Sequence, residues 1–394
     1  MKIQKNFLIA ATTAFALVTV LHGITLTTSA QDTDNLKVQI EAVRNIGPKG
    51  KGHKAASSAW KEIVKNDAES ITTVLAGMDD ANVLAINWLR AAVDTMAENT
   101  LKSGESLPVA NIESFLLDAD HHPRARRTAY EWLLKVDDTA YERLITKFVD
   151  DPSMELRRDA IAHLITKAQK SLDDGNKDAA VAEFKAALSS ARDGKQIETI
   201  TKTLRENDVQ VNLPRHFGFL MQWNVIGPFE NTNTSGYDIA FPPENEVDLD
   251  GTYEGKSKIE AAWTPVSTDD DYGLVDLNTI YDGLKEEKNH KGAIAYAYTT
   301  FESDSDQQVD VRLCCPTGNK LWVNGELIIS HHVYHATTTT LDQFVGKAKL
   351  KKGTNHILIK VAQNEQEESW AQRWQFQLRI CDQYGTAILA TDRE

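Results

Sequence analysis

The sequence predicts a multidomain α + β protein, an all-helical array followed by an antiparallel β-sandwich. Three observations carry the prediction. Up to about residue 210 the apolar residues recur at helical spacing around a repeated Ala-plus-large-residue motif. Downstream of Pro214 they alternate instead, as in Trp374, Phe376, Leu378 and Ile380 with Gln375, Gln377 and Arg379 between them. Finally, Asn324-Gly325 sits between Leu321-Trp322-Val323 and Leu327-Ile328-Ile329, a two-residue hairpin turn whose residues must tolerate positive φ.

The chain opens with a basic Met1–Lys5, an apolar run from Phe7 to Leu26 and small residues at Thr28-Ser29-Ala30. This order predicts a signal peptide over residues 1–30 and an exported protein, periplasmic or extracellular. The apolar run, at about 20 residues, is also long enough for an uncleaved N-terminal anchor, although His22, Gly23 and several threonines weaken that alternative.

Residues 31–210 contain Ala59-Trp60, Ala85-Ile86, Ala129-Tyr130 and Ala160-Ile161, each opening a similar apolar face, at unequal spacings of 26, 44 and 31 residues. A small residue followed by large ones lets one helix approach its neighbour while the large side chains fill the groove alongside. Trp60, Trp88 and Trp132 are therefore expected in the core. Pro123 and Asp151-Pro152 mark helix starts, the second as a cap followed by a first-turn proline. Shorter helices are expected at 69–78, 111–117 and 140–149, and a further pair at 179–192 and 196–206. The pairs resemble HEAT repeats, most clearly over Asp151–Ile161, which implies an α-helical solenoid whose usual role is contact with protein.

Strands are expected at 219–226, 293–301, 308–315, 320–323, 326–330, 345–350, 355–362 and 373–381, so residues 215–394 read as a jelly-roll sandwich. Leu321-Trp322-Val323-Asn324-Gly325, the Leu350–Val361 turn and strand, and Asp382-x-x-Gly385 together resemble the galactose-binding-like accessory domain of glycoside hydrolases. Trp223-x-x-Ile226-Gly227-Pro228-Phe229, Phe241-Pro242-Pro243-Glu244 and Asn364-Glu365-Gln366 resemble bacterial exported proteins of unassigned role. The first resemblance implies carbohydrate as ligand.

Residues 215–394 hold 16 basic and 27 acidic side chains, most of the excess behind a chain charge of −14. Such a surface repels phosphate backbones and anionic lipids, which disfavours nucleic acid and membrane surfaces as partners. The three cysteines are too few for a disulfide scaffold. Strand alternation turns Cys315 inward and Cys314 and Cys381 outward, leaving two alternatives: a Cys314–Cys381 bridge, or three unpaired thiols.

Candidate ligand-binding residues are the loop aromatics Trp263, Tyr334 and Trp370 and the imidazoles His331, His332 and His335, rings suited to stacking on a pyranose or on one another. Trp374 opens an apolar strand and is expected in the core. The histidine cluster lacks a neighbouring carboxylate or thiolate for zinc. Asp269-Asp270-Asp271 before Tyr272-Gly273 forms a carboxylate-rich loop that suits either a structural calcium, as the resemblance implies, or a solvated turn. No other cofactor is expected. The sequence contains no Gly-x-Ser-x-Gly, His-Glu-x-x-His or phosphate-binding glycine loop. The expectation is a non-catalytic exported binding protein, with the sandwich engaging carbohydrate or cell-envelope glycan and the array contacting protein. The alternatives are a structural assembly module that binds proteins alone, and a cryptic glycoside hydrolase.

Overall fold

The computed structural model describes residues 34–281, 290–335 and 340–393. The expected signal peptide lies outside the described residues. No described helix is long and apolar enough to cross a membrane. The chain has an N-terminal helical region and C-terminal antiparallel sheets, and it divides into two compact units, up to Glu183 and from Phe184 onward.

In the first unit, helix α1 covers residues 34–44. It is followed by α2 (His53–Ile63), α3 (Ile71–Ala76), α4 (Val83–Lys102), α5 (Val109–Leu117), α6 (Pro123–Val136), α7 (Ala140–Leu144) and α8 (Met154–Asp173). The four motif alanines Ala59, Ala85, Ala129 and Ala160 are all buried, and α4 packs on α6, and α6 on α8. One continuous core runs from Leu36 to Ala160 and includes Trp132, while Trp60 and Trp88 pack against its edge. Each fully buried large side chain, such as Leu133 or Phe148, contributes about 1.5–3 kcal/mol.

Caps fix the helix starts. Asn82 accepts from the amides of Leu84 and Ala85 at the head of α4, and Pro123 occupies the first turn of α6. The start of α8 differs from the sequence expectation. Ser153 is its N-cap, and Asp151 instead takes both guanidinium nitrogens of buried Arg126 at 2.8 and 2.6 Å. A buried arginine needs a bidentate carboxylate more than a helix start needs Asp, because serine can replace it as cap.

Helix α9 (Lys177–Ser190) passes from one unit to the next, and α10 (Gly194–Glu206) and α11 (Leu213–Phe217) belong to the second. The sequence grouped residues up to 210 with the array. Within the second unit, however, Arg205 of α10 is paired with Asp271 and Arg192 donates to Thr386.

Among the described residues twelve strands follow: β1 (Gln222–Glu230), β2 (Thr252–Glu254), β3 (Glu260–Ala262), β4 (Thr264–Ser267), β5 (Val275–Asp276), β6 (Ala293–Ser303), β7 (Gln307–Cys314), β8 (Gly318–Val323), β9 (Glu326–His331), β10 (Phe344–Leu350), β11 (Gly353–Gln363) and β12 (Gln375–Cys381). They pair antiparallel into a six-stranded sheet, β4-β1-β6-β11-β8-β9, and a four-stranded sheet, β10-β7-β12-β5, with β2 and β3 as a separate pair. A single apolar cluster draws on both larger sheets, with Val225, Ala297, Leu321 and Ile359 from one and Val311, Leu378 and Ile380 from the other. A second cluster, including Phe229, Tyr296 and Leu358, lies under the segment 231–263. The central strands of the six-stranded sheet are thus buried on both faces, which explains why the Ala293–Tyr298 stretch consists of alanine, isoleucine and tyrosine alone.

At the hairpin, Asn324 and Gly325 have φ of 52° and 81°, as a two-residue turn of this type requires. The Asn324 amide donates to Asn355 Oδ1, and Asn355 closes the turn before β11 through the carbonyls of Lys351 and Gly353. These two asparagines therefore serve the scaffold.

The Cys314–Cys381 bridge is not formed. The ladder pairs Cys314 with Gln377 and Cys381 with Asp310, four residues apart, a separation of roughly 13 Å at strand rise and far beyond disulfide reach. All three thiols are buried and free, and the outward placement of Cys314 and Cys381 is corrected with it.

Candidate functional site

Register decides which loops meet. Glu230 pairs with Ala293, Ala293 with Gln363, Ala362 with Gly318, and Asn319 with His331. One end of the six-stranded sheet therefore collects the loops after β1, β9 and β11 and those before β6 and β8.

That end is built from rings. Tyr237, held by a hydrogen bond from its hydroxyl to the Asn319 carbonyl at 3.0 Å, lies parallel to His332 with centroids 3.9 Å apart. Lys320 Nζ stands 4.5 Å from the Tyr237 ring centre and 3.5 Å from Asp238. His332 meets Tyr334 edge-on at 5.5 Å, and His335 meets Trp370 edge-on at 5.5 Å. Trp370 is 59% exposed, the most open indole or phenol among the described residues.

Polar groups fix the rings. Asn231, fully buried, donates to Tyr334 Oη and the Gln363 carbonyl and accepts from the Gly236 amide. His335 Nε2 donates to Asn364 Oδ1 at 2.6 Å, and Asn364 donates to Gln366. Glu365 accepts from the Asn233 amide. His331 turns aside to stack on Phe344 at 4.0 Å.

Beneath Tyr237 lies Lys360, with 0% exposure. Its ammonium donates to the carbonyls of Tyr237 and Ile239 and to Glu244 Oε1, each at 2.8 Å, so its three hydrogens are all used. The rings of Tyr237, Phe241 and Tyr296 surround it at 5.5–6.0 Å. Burial lowers the Lys360 pKa from the usual lysine range, with the Glu244 carboxylate opposing. Burial also raises the Tyr296 hydroxyl well above the ordinary phenol range, reinforced by its bond to Glu244. The cluster fastens the 237–245 segment to the sheet. Asp342, just before β10, pairs with Arg379 and Arg312. Burial works against the Asp342 charge, but the hydrogen bonds and charge of the two arginines outweigh it and hold this carboxyl below the usual range.

The structure thus brings His332, Tyr334, His335 and Trp370 together, with His331 adjacent, and adds Tyr237, Asn231, Lys320 and Asn364. Trp263 does not join them. Its ring contact is Tyr298, five residues along β6 from the Ala293 end, and its Nε1 is enclosed without a hydrogen-bond partner among the described residues. Trp374 is core, donating to the Val361 carbonyl. The three aspartates lie elsewhere. Asp269 and Asp271 border a cavity of about 590 Å³, Asp271 is paired with Arg205, and Asp270 accepts from the amides of Tyr272 and Leu274. Among the described residues no group of three or more His, Cys, Asp or Glu is placed to hold a metal.

No family model and no curated protein matches the chain. Solved glycoside hydrolases are partly similar. They include the GH31 α-xylosidase from Xanthomonas citri, at 9% identity over 43% of this chain and 18% of that one, with a TM-score of 0.21. The selenomethionine-labelled β-glucosidase from Kluyveromyces marxianus matches at 9% identity, over 74% and 35% of the two chains, and its complex with glucose at 10%, over 75% and 36%. Both of these have a TM-score of 0.26. The chain therefore spans about a third or less of their length. A likeness at that level fixes neither fold nor activity.

Proposed function

We propose that this is a non-catalytic glycan-binding protein, with Trp370 and the rings of His332, Tyr334 and His335 as the sugar platform. The observation that carries the reading is the open Trp370 indole beside a set of side-chain amides and carboxylates. A pyranose has an apolar face that covers such a ring and an equatorial rim of hydroxyls that needs planar donors and acceptors, here Asn364, Gln366 and Glu365. The two sheets with a shared core are then a jelly-roll sandwich of galactose-binding-like type. The helical unit is a HEAT-like array available to protein. The apolar run from Phe7 to Leu26 makes export, to periplasm or cell surface, the natural setting, where cell-envelope glycans are present.

A glycan array probed with the full chain, followed by calorimetry on the best hit, tests this. The expected result is saccharide binding that Trp370→Ala weakens at least about tenfold, equivalent to about 1.4 kcal/mol, with unchanged thermal stability. Absence of any saccharide binding by the folded chain, together with capture of a defined protein, would instead favour an assembly module. Turnover of a glycoside would favour the hydrolase alternative.

A further inference from the structure

At the opposite end of the six-stranded sheet, three adjoining cavities make one furrow in the second unit. The middle one, about 590 Å³, lies against Phe219, Met221 and Ile388. It shares Gln222, Ser267 and Arg393 with a cavity of about 460 Å³ that continues toward Leu249. At its other side it shares Val211, Arg215 and Leu389 with one of about 410 Å³ beside Lys185 and Leu188. The result is long and shallow, with aliphatic side chains (Leu188, Met221, Ile388, Leu389) interspersed among polar ones such as Asn212, Gln222 and Ser267, a shape for a linear chain more than for a compact small molecule.

Three features choose the occupant. The first is charge. In an acidic chain of −14 the charged side chains of this wall are Lys185, Arg215 and Arg393 against Asp269 and Asp271; Asp271 is matched by two contacts to Arg205 at 2.8 and 2.9 Å, and Arg393 stands 3.9 Å from Asp392 and donates to the Thr300 carbonyl. Lys185 and Arg215 enter no ion pair among the described residues. The stretch of the furrow beside Leu188 and Leu389 is therefore locally positive. The second is the lack of an open ring: Phe219, Phe301 and Tyr298 line the walls but are buried, so a sugar finds no stacking platform. The third is backbone. Val266 and Ser267 of β4 line the furrow together with Gln222 and Asn224 of β1 and Thr299 and Thr300 of β6, so the groove passes across three adjoining strands, a course that an extended polypeptide can follow.

We propose that this furrow is a docking site for an extended segment of a partner protein in which aliphatic residues alternate with Asp or Glu. The aliphatic side chains enter the Leu188, Leu389, Met221 and Ile388 surface, and the carboxylates face Lys185 and Arg215. The site is separate from the ring end and does not depend on the glycan reading.

Fluorescence anisotropy with the full chain and a labelled dodecapeptide alternating Leu and Glu tests it, against Leu/Lys and Ser/Glu counterparts and an unlabelled cellohexaose competitor. The expected result is saturable binding of the Leu/Glu peptide that weakens as salt rises, with each counterpart at least about fivefold weaker. Lys185→Glu with Arg215→Glu, both on exposed side chains, is expected to weaken it about tenfold without lowering the melting temperature, and Leu389→Asp to weaken it independently. Equal binding of the Leu/Lys peptide, indifference to the double charge reversal, displacement by cellohexaose, or no binding by the folded chain would each overturn the proposal.

Discussion

The two ends of the six-stranded sheet share strands and core yet present opposite surfaces. One end gathers stacked rings held by amides and a buried lysine, with a single indole left open. The other has its rings submerged and shows aliphatic and polar side chains mixed, with Lys185 and Arg215 at one side. The difference arises from what covers the strand ends. At the ring end, the long segment 231–263 folds back over the sheet and brings Tyr237 to His332. At the furrow end, short turns such as Asn324-Gly325 and the β11 entry at Gly353 leave the covering to α9–α11 and the C-terminal residues 388–393. A sheet end therefore acquires its chemistry from its returning segments, while the strands fix only the spacing.

Removing the lysine clamp should break this contrast most strongly. Lys360→Met strands two buried carbonyls and the Glu244 carboxylate, so a loss of about 3–5 kcal/mol is expected in chemical denaturation. Peptide binding in the furrow should survive wherever the variant remains folded. A loss below about 1 kcal/mol would mean that the 237–245 segment is held by its apolar contacts alone.

At the furrow end, pH provides the next test. His216 on α11 is pushed down to about 4 by burial, then by the nearby Arg192 charge. Its pKa in the unfolded chain is about 6.5, so between those values the unfolded state binds the extra proton and stability rises with pH. The contribution is complete above about pH 6.5 and lost as pH falls toward 4, reaching at most about 3 kcal/mol. A His216→Gln variant should flatten that stretch of the stability–pH curve; an unchanged slope would assign it to other groups.

The smallest effect is expected at the hairpin. Gly325 has φ of 81° with open space around it, so Gly325→Ala should cost about 1 kcal/mol through backbone strain alone, leaving both ends as they are. A larger loss, or altered ligand binding, would show that the turn communicates with the loops.

Much of the scaffold was legible because periodicity survives locally. All eight expected strands occur near their expected positions, and the four motif alanines lie in buried helix faces. The missed strands β2 to β5 span only two to four residues each, too short for alternation to register. Lys360 gave no signal, since nothing local announces that residues 231–263 will cover that face. The histidine cluster was visible because it is contiguous. Tyr237, Asn231 and Lys320 were not, because strand register joins them across about a hundred residues of chain. Trp263 lies apart from the other rings, beside Tyr298, for a related reason: a loop position says nothing about which surface the loop lies on.

The unbridged thiols have a practical meaning. Burial raises Cys314 and Cys381 to about 11 and Cys315 to about 12, so almost none of the reactive thiolate form exists at neutral pH. The β unit thus owes nothing to an oxidising environment, and it resists alkylating or oxidising agents for as long as its sheets stay closed. Its chemical silence lasts as long as its core does, which makes the onset of thiol reactivity a native clock for opening between the sheets.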